Sequence, residues 1–428
     1  MLKNMRRPAK LDVANKQFFG SSVLAFMPVL ANFYVLVILP FLEEGPARIF
    51  NHLFWIVTAA VTLVLLFQNR SRLDWGFLRS LPMMSLAAYF LFAAASITWA
   101  YSPEYTVSRL AVQILAAIII ILPYALPIRS TYNMQAIFVC YLIAFAMSAF
   151  YVLTTKPSAL GHAGFFTHKQ ELGVLCAVGL ILSVHELRFR GWRRLISMLA
   201  MSAAFWMLLE SQSKSNLAIS LFSVAFAGIT LLACKYMKIT PAYFVAACVV
   251  GSFFIDDPMG RLGYRFYGDV TLTGRTAIWE FIEYQISRKA WFGWGFQSYW
   301  FVPNSPHIEA VGFVRDMPSS HSGYLELKLE TGRIGYWIFL VFLYATLHAV
   351  DRVRRVDFAR AWLYLSVLSF ALLINLLDSG WFLLNNLWIL YLVVVAETVH
   401  YSRLGALNAN ALRRSRRRRI GQPSTSAV

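Results

Sequence analysis

The sequence predicts an all-α integral membrane protein of about twelve transmembrane helices, with one large helical outer loop between helices nine and ten. Three observations carry that expectation. The 428-residue chain is 58% hydrophobic and 16% aromatic with only 14% charged residues, a balance that belongs to membrane spans and not to two or three soluble domains. Apolar runs recur near 18–42, 51–68, 81–99, 107–127, 131–153, 171–187, 195–210, 216–234, 239–256, 332–350, 361–379 and 385–400, about the length a helix needs to cross a hydrocarbon core. The basic residues gather in alternate loops, as the positive-inside rule requires.

That last point decides how the net charge of +18 is read. With the N-terminus in the cytoplasm, 26 of the 39 Lys and Arg residues lie inside with 6 acidic residues, while 13 basic and 15 acidic residues lie outside. The whole excess is cytoplasmic, so it reports orientation and not a nucleic-acid partner. The chain divides into a basic cytoplasmic N-terminus (1–17), nine spans (18–256), an outer loop (257–331), three spans (332–400) and a basic cytoplasmic tail (401–428). No short apolar run with a small-residue cleavage site opens it, so no removable signal is expected. Cys140, Cys176, Cys234 and Cys248 all fall within spans, at spacings that match no metal motif, and read as buried structural thiols.

Taken in order, the first two spans form a hairpin with an acidic outer turn, Glu43-Glu44-Gly45-Pro46, and return through a loop carrying Arg70, Arg72 and Arg79. Arg109 stands near the outer end of span four, where it either snorkels to the interface or enters a polar cavity. The loop before span six ends Thr167-His168-Lys169-Gln170-Glu171. Lys169 at that helix start is either a phosphate contact or an interfacial anchor. Arg188, Arg190, Arg193 and Arg194 mark the next cytoplasmic loop. The tight outer turn after span seven, Ser211-Gln212-Ser213-Lys214-Ser215-Asn216, offers Lys214 as a second anion contact. Glu186, Glu210, Asp378 and Glu397 fall in the last turns of their segments, and no span carries a charge at its middle. Coupled transporters keep ionisable groups there, so this pattern weighs against a transporter.

The outer loop is too long to be a simple connection. Arg275 to Ser287 places apolar residues at helical spacing, Gly293 and Gly295 punctuate an aromatic turn, and Asn304 to Pro318, which with the preceding Pro303 holds three prolines, reads as an irregular, mobile flap. Its charges balance, eight basic against eight acidic over 257–335. Ser319-Ser320-His321-Ser322 reads as a capped helix start, continued to Glu330 and broken at Thr331-Gly332. His321 at that start is a candidate general base. Glu326 and Glu330, four residues apart, are either a rival acid–base pair or, with Lys328, a solvated face. Trp291, Trp294, Tyr299 and Trp300 are sugar-stacking or interfacial-belt residues.

In this order and on this topology, the motifs resemble the O-antigen ligase and polymerase superfamily of bacterial inner membranes. The family pattern is His followed by Asn, Ser or Gln, nine residues, Gly, two residues and a small residue. Here it reads His321-Ser322, Gly323 to Thr331, Gly332, Arg333-Ile334, Gly335. Gly274-Arg275-Thr276 with Trp279, and Phe292-Gly293-Trp294-Gly295-Phe296, look like two further landmarks of the family. Two departures stand out. Ser213-Lys214 replaces the usual Ser-Arg, and Gln170 stands where an Asn is usual; both bring the chain closer to the exopolysaccharide polymerase branch.

The resemblance implies a multi-pass inner-membrane enzyme that moves a glycan from undecaprenyl diphosphate to an acceptor hydroxyl at the outer face, inverting the anomeric centre. It implies no metal and no cofactor. His321 would be the base and Arg275 the diphosphate clamp, with Lys214, Lys169, Arg265 and Tyr324 as further substrate contacts. His162, His168 and His307 have no spacing that supports a zinc site. The implied partners are a lipid-linked donor and acceptor, the bilayer and a chain-length regulator protein. Three functions compete: a polymerase of lipid-linked repeats, a ligase moving a finished glycan to lipid A core or a protein, and a non-enzymatic flippase.

Overall fold

The computed structural model describes residues 20–42, 47–128, 133–158, 161–252, 274–300, 302–303 and 305–420, with the backbone alone for 47–48 and 404–420. Arg265 and Thr273, the acidic turn 43–46 and Asn304 lie outside the described residues.

Among those described, all regular structure is helical. The helices are α1 (Ser21–Phe33), α2 (Ala47–Gln68), α3 (Trp75–Leu78), α4 (Leu81–Ala95), α5 (Pro103–Ile121), α6 (Asn133–Thr154), α7 (Lys169–Glu186), α8 (Trp192–Glu210) and α9 (Lys214–Met237). They continue with α10 (Pro241–Ser252), α11 (Arg275–Arg288), α12 (Gly323–Val356), α13 (Phe358–Ile374) and α14 (Asn386–Ile420). Each of the twelve apolar runs coincides with one of these helices. Among the described residues, seven stretches are long and apolar enough to cross a membrane on their own: Ser21–Phe41, Ile49–Gln68, Leu81–Thr98, Pro103–Ala125, Asn133–Thr154, Lys214–Met237 and Gly323–Val356. Hydrocarbon offers peptide groups no partner, so an apolar run of this length settles as helix. Prolines in the first turn start α4, α5 and α10, and the Asp74 and Asp357 carboxylates cap α3 and α13 through the amides of Gly76 and Arg360.

Burial sorts the helices. Over most of its length α7 is buried all round, as is α14 from Leu387 to Ala396, so both lie inside the bundle. A single face of α2, including Ile49, Leu53, Ile56, Val57, Val64 and Phe67, remains exposed, as a lipid-facing helix requires. Three cysteines are buried, but Cys248 is exposed, because α10 buries only its first residues, Pro241 and Ala242.

The end of the bundle opposite His321 gathers arginine–carboxylate pairs. Arg403 holds Asp74 through two bonds of 2.6 and 2.7 Å, Asp351 takes Arg354 and Arg355, and Glu186 takes Arg193. Glu397, expected in the last turn of a span, lies fully buried well inside α14, which continues to 420. It accepts from Tyr124 and Tyr364 and faces Arg360 at 3.7 Å.

At the His321 end, α12 is broken where Gly332 leaves the helical region at φ 63°. In an unbroken helix the carbonyls of Leu329 and Glu330 would bond to the amides of Arg333 and Ile334. Instead Trp294 and Gly295 donate to Leu329 and Glu330, at 2.9 Å each. In return Arg333 and Ile334 donate to Ala290 and Trp291, at 2.9 and 3.3 Å. The aromatic turn thus takes up the bonds that the break releases. Such an approach excludes side chains: a Cβ on Gly332 would lie 2.3 Å from the Trp291 backbone, and one on Gly293 2.4 Å from that of Glu330. The same turn is pinned to the α4–α5 connection by Tyr101 N to Trp294 O (2.8 Å) and Phe296 N to Ser96 Oγ (3.0 Å).

The segment has a core of its own, formed by Ile278 and Ile282 of α11 with Trp294, Tyr299, Trp300, Ala310, Val314 and Leu329. Each large side chain fully buried there contributes on the order of 1.5–3 kcal/mol. Trp294, Tyr299 and Trp300 therefore neither stack on sugar nor form a belt, and of the four aromatic residues only Trp291 is exposed. The proline-rich run holds two short 3-10 turns, Pro306–Glu309 and Gly312–Asp316; Ala310, just after the first, and Val314, within the second, pack into this core.

Candidate functional site

The serine-rich stretch Ser319–Ser322 and the turn 375–380 build the site. The helix start foreseen at Ser319–Ser322 falls at Gly323, and Ser322 makes no side-chain cap. The chain after α13 supplies the cap instead. The amide of Gly323 is shared between the carbonyls of Asn375 and Asp378, each at 2.9 Å. A Cβ on Gly323 would lie 2.2 Å from Asn375 Oδ1, so only glycine admits this docking. The two bonds bring the 375–380 turn beside His321, whose φ of 51° turns its side chain out of the helical path.

The product of that docking is a His–Asp pair. His321 Nδ1 lies 3.9 Å from Asp378 Oδ1, and both side chains are about one-third exposed. Asp378 is oriented by the amide of Ser379 at 2.9 Å. An imidazole that faces a carboxylate through Nδ1 leaves Nε2 for a substrate proton.

Behind the pair sits Glu326. It belongs to no solvated face: the residue is buried, and so is Glu330. Glu326 accepts from Ser320 N at 2.5 Å, from Trp300 Nε1 at 2.8 Å and from Ser379 Oγ at 3.4 Å. Glu330 takes the amide of Gln297 and lies within electrostatic reach of Arg109. Arg109 enters the protein interior, where its guanidinium donates to the carbonyls of Gln297 and Trp300.

Arg275 opens α11 after Gly274, which takes the left-handed conformation at φ 86°. It is half-buried, and among the described residues its side chain makes no hydrogen bond or ion pair. One turn on, Trp279 Nε1 donates to Ser320 O at 3.0 Å, which fastens the Arg275 helix to the residue before His321. Tyr324 is committed to structure, with its hydroxyl on Leu372 O at 2.9 Å and its ring edge-on to Trp381. Lys169 and Lys214 open α7 and α9 side by side. Gln170 Oε1 accepts from Ser213 Oγ and Asn216 Nδ2 at 3.1 and 3.0 Å, which joins the two helix starts. His168 caps α7, His162 is buried against the end of α8, and His307 packs on Trp300, so the three stand on separate elements.

Two basic side chains of the outer segment are set by their surroundings. Burial, then Arg315, holds His307 below its ordinary imidazole range, and burial, then Arg288, lowers the Lys289 amine. Lys289 and Arg288 line a cleft with Trp99, Trp291 and Phe292.

Sequence reasoning missed Asp378 as a partner of His321, because their proximity arises from docking across 57 positions of chain. It also missed Glu326 as an interior acceptor. Nothing local in the sequence signals it, because its donors are the Ser320 amide, the Trp300 indole and the distant Ser379 hydroxyl.

A family model described as "O-Antigen ligase" matches residues 172–340, a stretch that includes Lys214, Arg275 and His321. A Rickettsia typhi protein named "Putative polysaccharide ligase" is 27% identical over 133 residues, which cover 28% of this chain and 31% of that protein. The chain thus spans under a third of that relative's length.

Proposed function

We propose that this chain, which through residues 172–340 belongs to the O-antigen ligase and polymerase superfamily, joins undecaprenyl-diphosphate-linked repeat units into a surface polysaccharide at the outer face of the inner membrane. The orientation is supported by the arginine-rich loops at the end of the bundle opposite His321, which the positive-inside rule assigns to the cytoplasm.

The observation that carries the chemistry is the His321–Asp378 pair beside a helix that presents Arg275. In the proposed reaction an acceptor hydroxyl attacks the anomeric carbon of the donor. His321 Nε2 takes the hydroxyl proton, the new carbon–oxygen bond forms, and the bond to the diphosphate breaks with its electron pair leaving on the lipid diphosphate. Asp378 keeps Nδ1 protonated and steadies the imidazolium that forms. Arg275 meets the departing phosphate charge, with Lys214, Lys169 and Arg265 as further cations and Tyr324 as a wall. Attack opposite the leaving group inverts the anomeric centre.

The relative's name favours a second reading, in which a finished glycan is transferred to lipid A core or a protein. The product of gene loss separates the two. Loss of a polymerase leaves single repeats, whereas loss of a ligase leaves long chains on the lipid carrier. Precursors trapped on the inner leaflet would point instead to a flippase. A chain-length regulator is a partner to seek if the polymerase holds.

A further inference from the structure

We propose that Glu326 is a positioning residue that sets the His321–Asp378 separation, an inference that rests on the catalytic reading of that pair. Its carboxylate is buried and bound by donors from three separate segments. Ser320, at 2.5 Å, is the residue before His321; Ser379, at 3.4 Å, is the residue after Asp378; Trp300, at 2.8 Å, belongs to the core of the outer segment. One acceptor therefore touches the immediate neighbour of each member of the pair and ties both to the core of the outer segment. No other described side chain bonds to both neighbours.

The chemistry of the residue fits that task. A carboxylate is acceptor-only with about four lone-pair positions, so it satisfies three converging donors without offering one of its own. Glutamine has the same shape, but its NH2 must face either the Ser320 amide or the Trp300 indole, donor against donor. Glu330 lies within electrostatic reach of Glu326 but takes the backbone amide of Gln297, whose carbonyl accepts from Arg109. Glu326 itself presents nothing toward the reacting atoms: it acts through Ser320 and Ser379.

The test compares full-length wild type, Glu326→Gln, Glu326→Asp and His321→Ala in nanodiscs, with chain lengthening of a lipid-linked oligosaccharide measured per folded molecule. We expect Glu326→Gln to lower kcat by about tenfold or more while the KM for the lipid-linked donor stays within about threefold, and Glu326→Asp to recover part of the loss. A residue that only stabilised the fold would change the yield and leave kcat of the folded fraction alone. Wild-type kcat in Glu326→Gln beside an inactive His321→Ala overturns this inference and spares the site. An active His321→Ala overturns both. Should Glu326→Gln fail to accumulate, Ser379→Ala and Trp300→Phe each remove one donor, and unchanged kcat in both overturns the proposal.

Discussion

The amide of Gly295 donates to the carbonyl of Glu330 at 2.9 Å, a bond available only because Gly332 has taken that carbonyl out of the helix. The aromatic turn and the helix break are two halves of one structure, and together they hold the short helix Gly323–Thr331 at an angle that presents His321.

Substituting the glycines tests this directly. Gly332→Ala adds a Cβ 2.3 Å from the Trp291 backbone at a φ of 63°, and we expect a loss of about 3 kcal/mol or more, seen as a lower apparent unfolding temperature of the purified protein. Gly312→Ala has a similar φ of 64° but open space around it, and should cost only about 1 kcal/mol. Equal effects would mean that backbone strain, and not the crossing, dominates.

Much of this was legible in the sequence and some of it was not. All twelve apolar runs became helices because hydrocarbon leaves a long apolar segment no alternative, and Gly332 was readable as a break because it follows a helical run. The fates of Glu326, Glu330 and Arg109 were not, since periodicity places residues on a face without saying what covers it. Here the face is covered by Trp300, which belongs to the outer segment's own core, and by Gln297. In the sequence Asp378 reads only as a charge near a helix end, because nothing local in the chain announces that the 375–380 turn caps Gly323.

Asp378→Asn keeps the size of the side chain and removes its charge. Transfer should fall by roughly 10- to 100-fold, less than for loss of His321, because the imidazole remains while its orientation and charge partner weaken. Initial rates with saturating donor would show it; a rate equal to wild type would remove Asp378 from the mechanism.

Arg275 distinguishes charge from geometry. Arg275→Ala should reduce transfer by about 100-fold or more, and Arg275→Lys should recover only part, since an ammonium is a point charge without the planar fork that grips a phosphate. Full recovery with lysine would show that charge alone suffices.

The outer segment should loosen in acid. Burial and Arg315 hold His307 below its ordinary value of 6.5, so the unfolded chain binds that proton more readily than the folded one. Stability from this group is present above about pH 6.5 and falls as the pH drops below it. Hydrogen-exchange protection across 299–317 is expected to be lower at about pH 5 than at neutral pH, and His307→Gln should abolish the difference. Equal protection at both pH values in wild type would contradict the assignment.

The most direct test is a transfer assay with purified protein, a lipid-linked oligosaccharide and EDTA, comparing wild type with His321→Ala. The proposed mechanism predicts chain lengthening by wild type and none by the variant, although both are folded in the membrane. Lengthening by His321→Ala at the wild-type rate would contradict it.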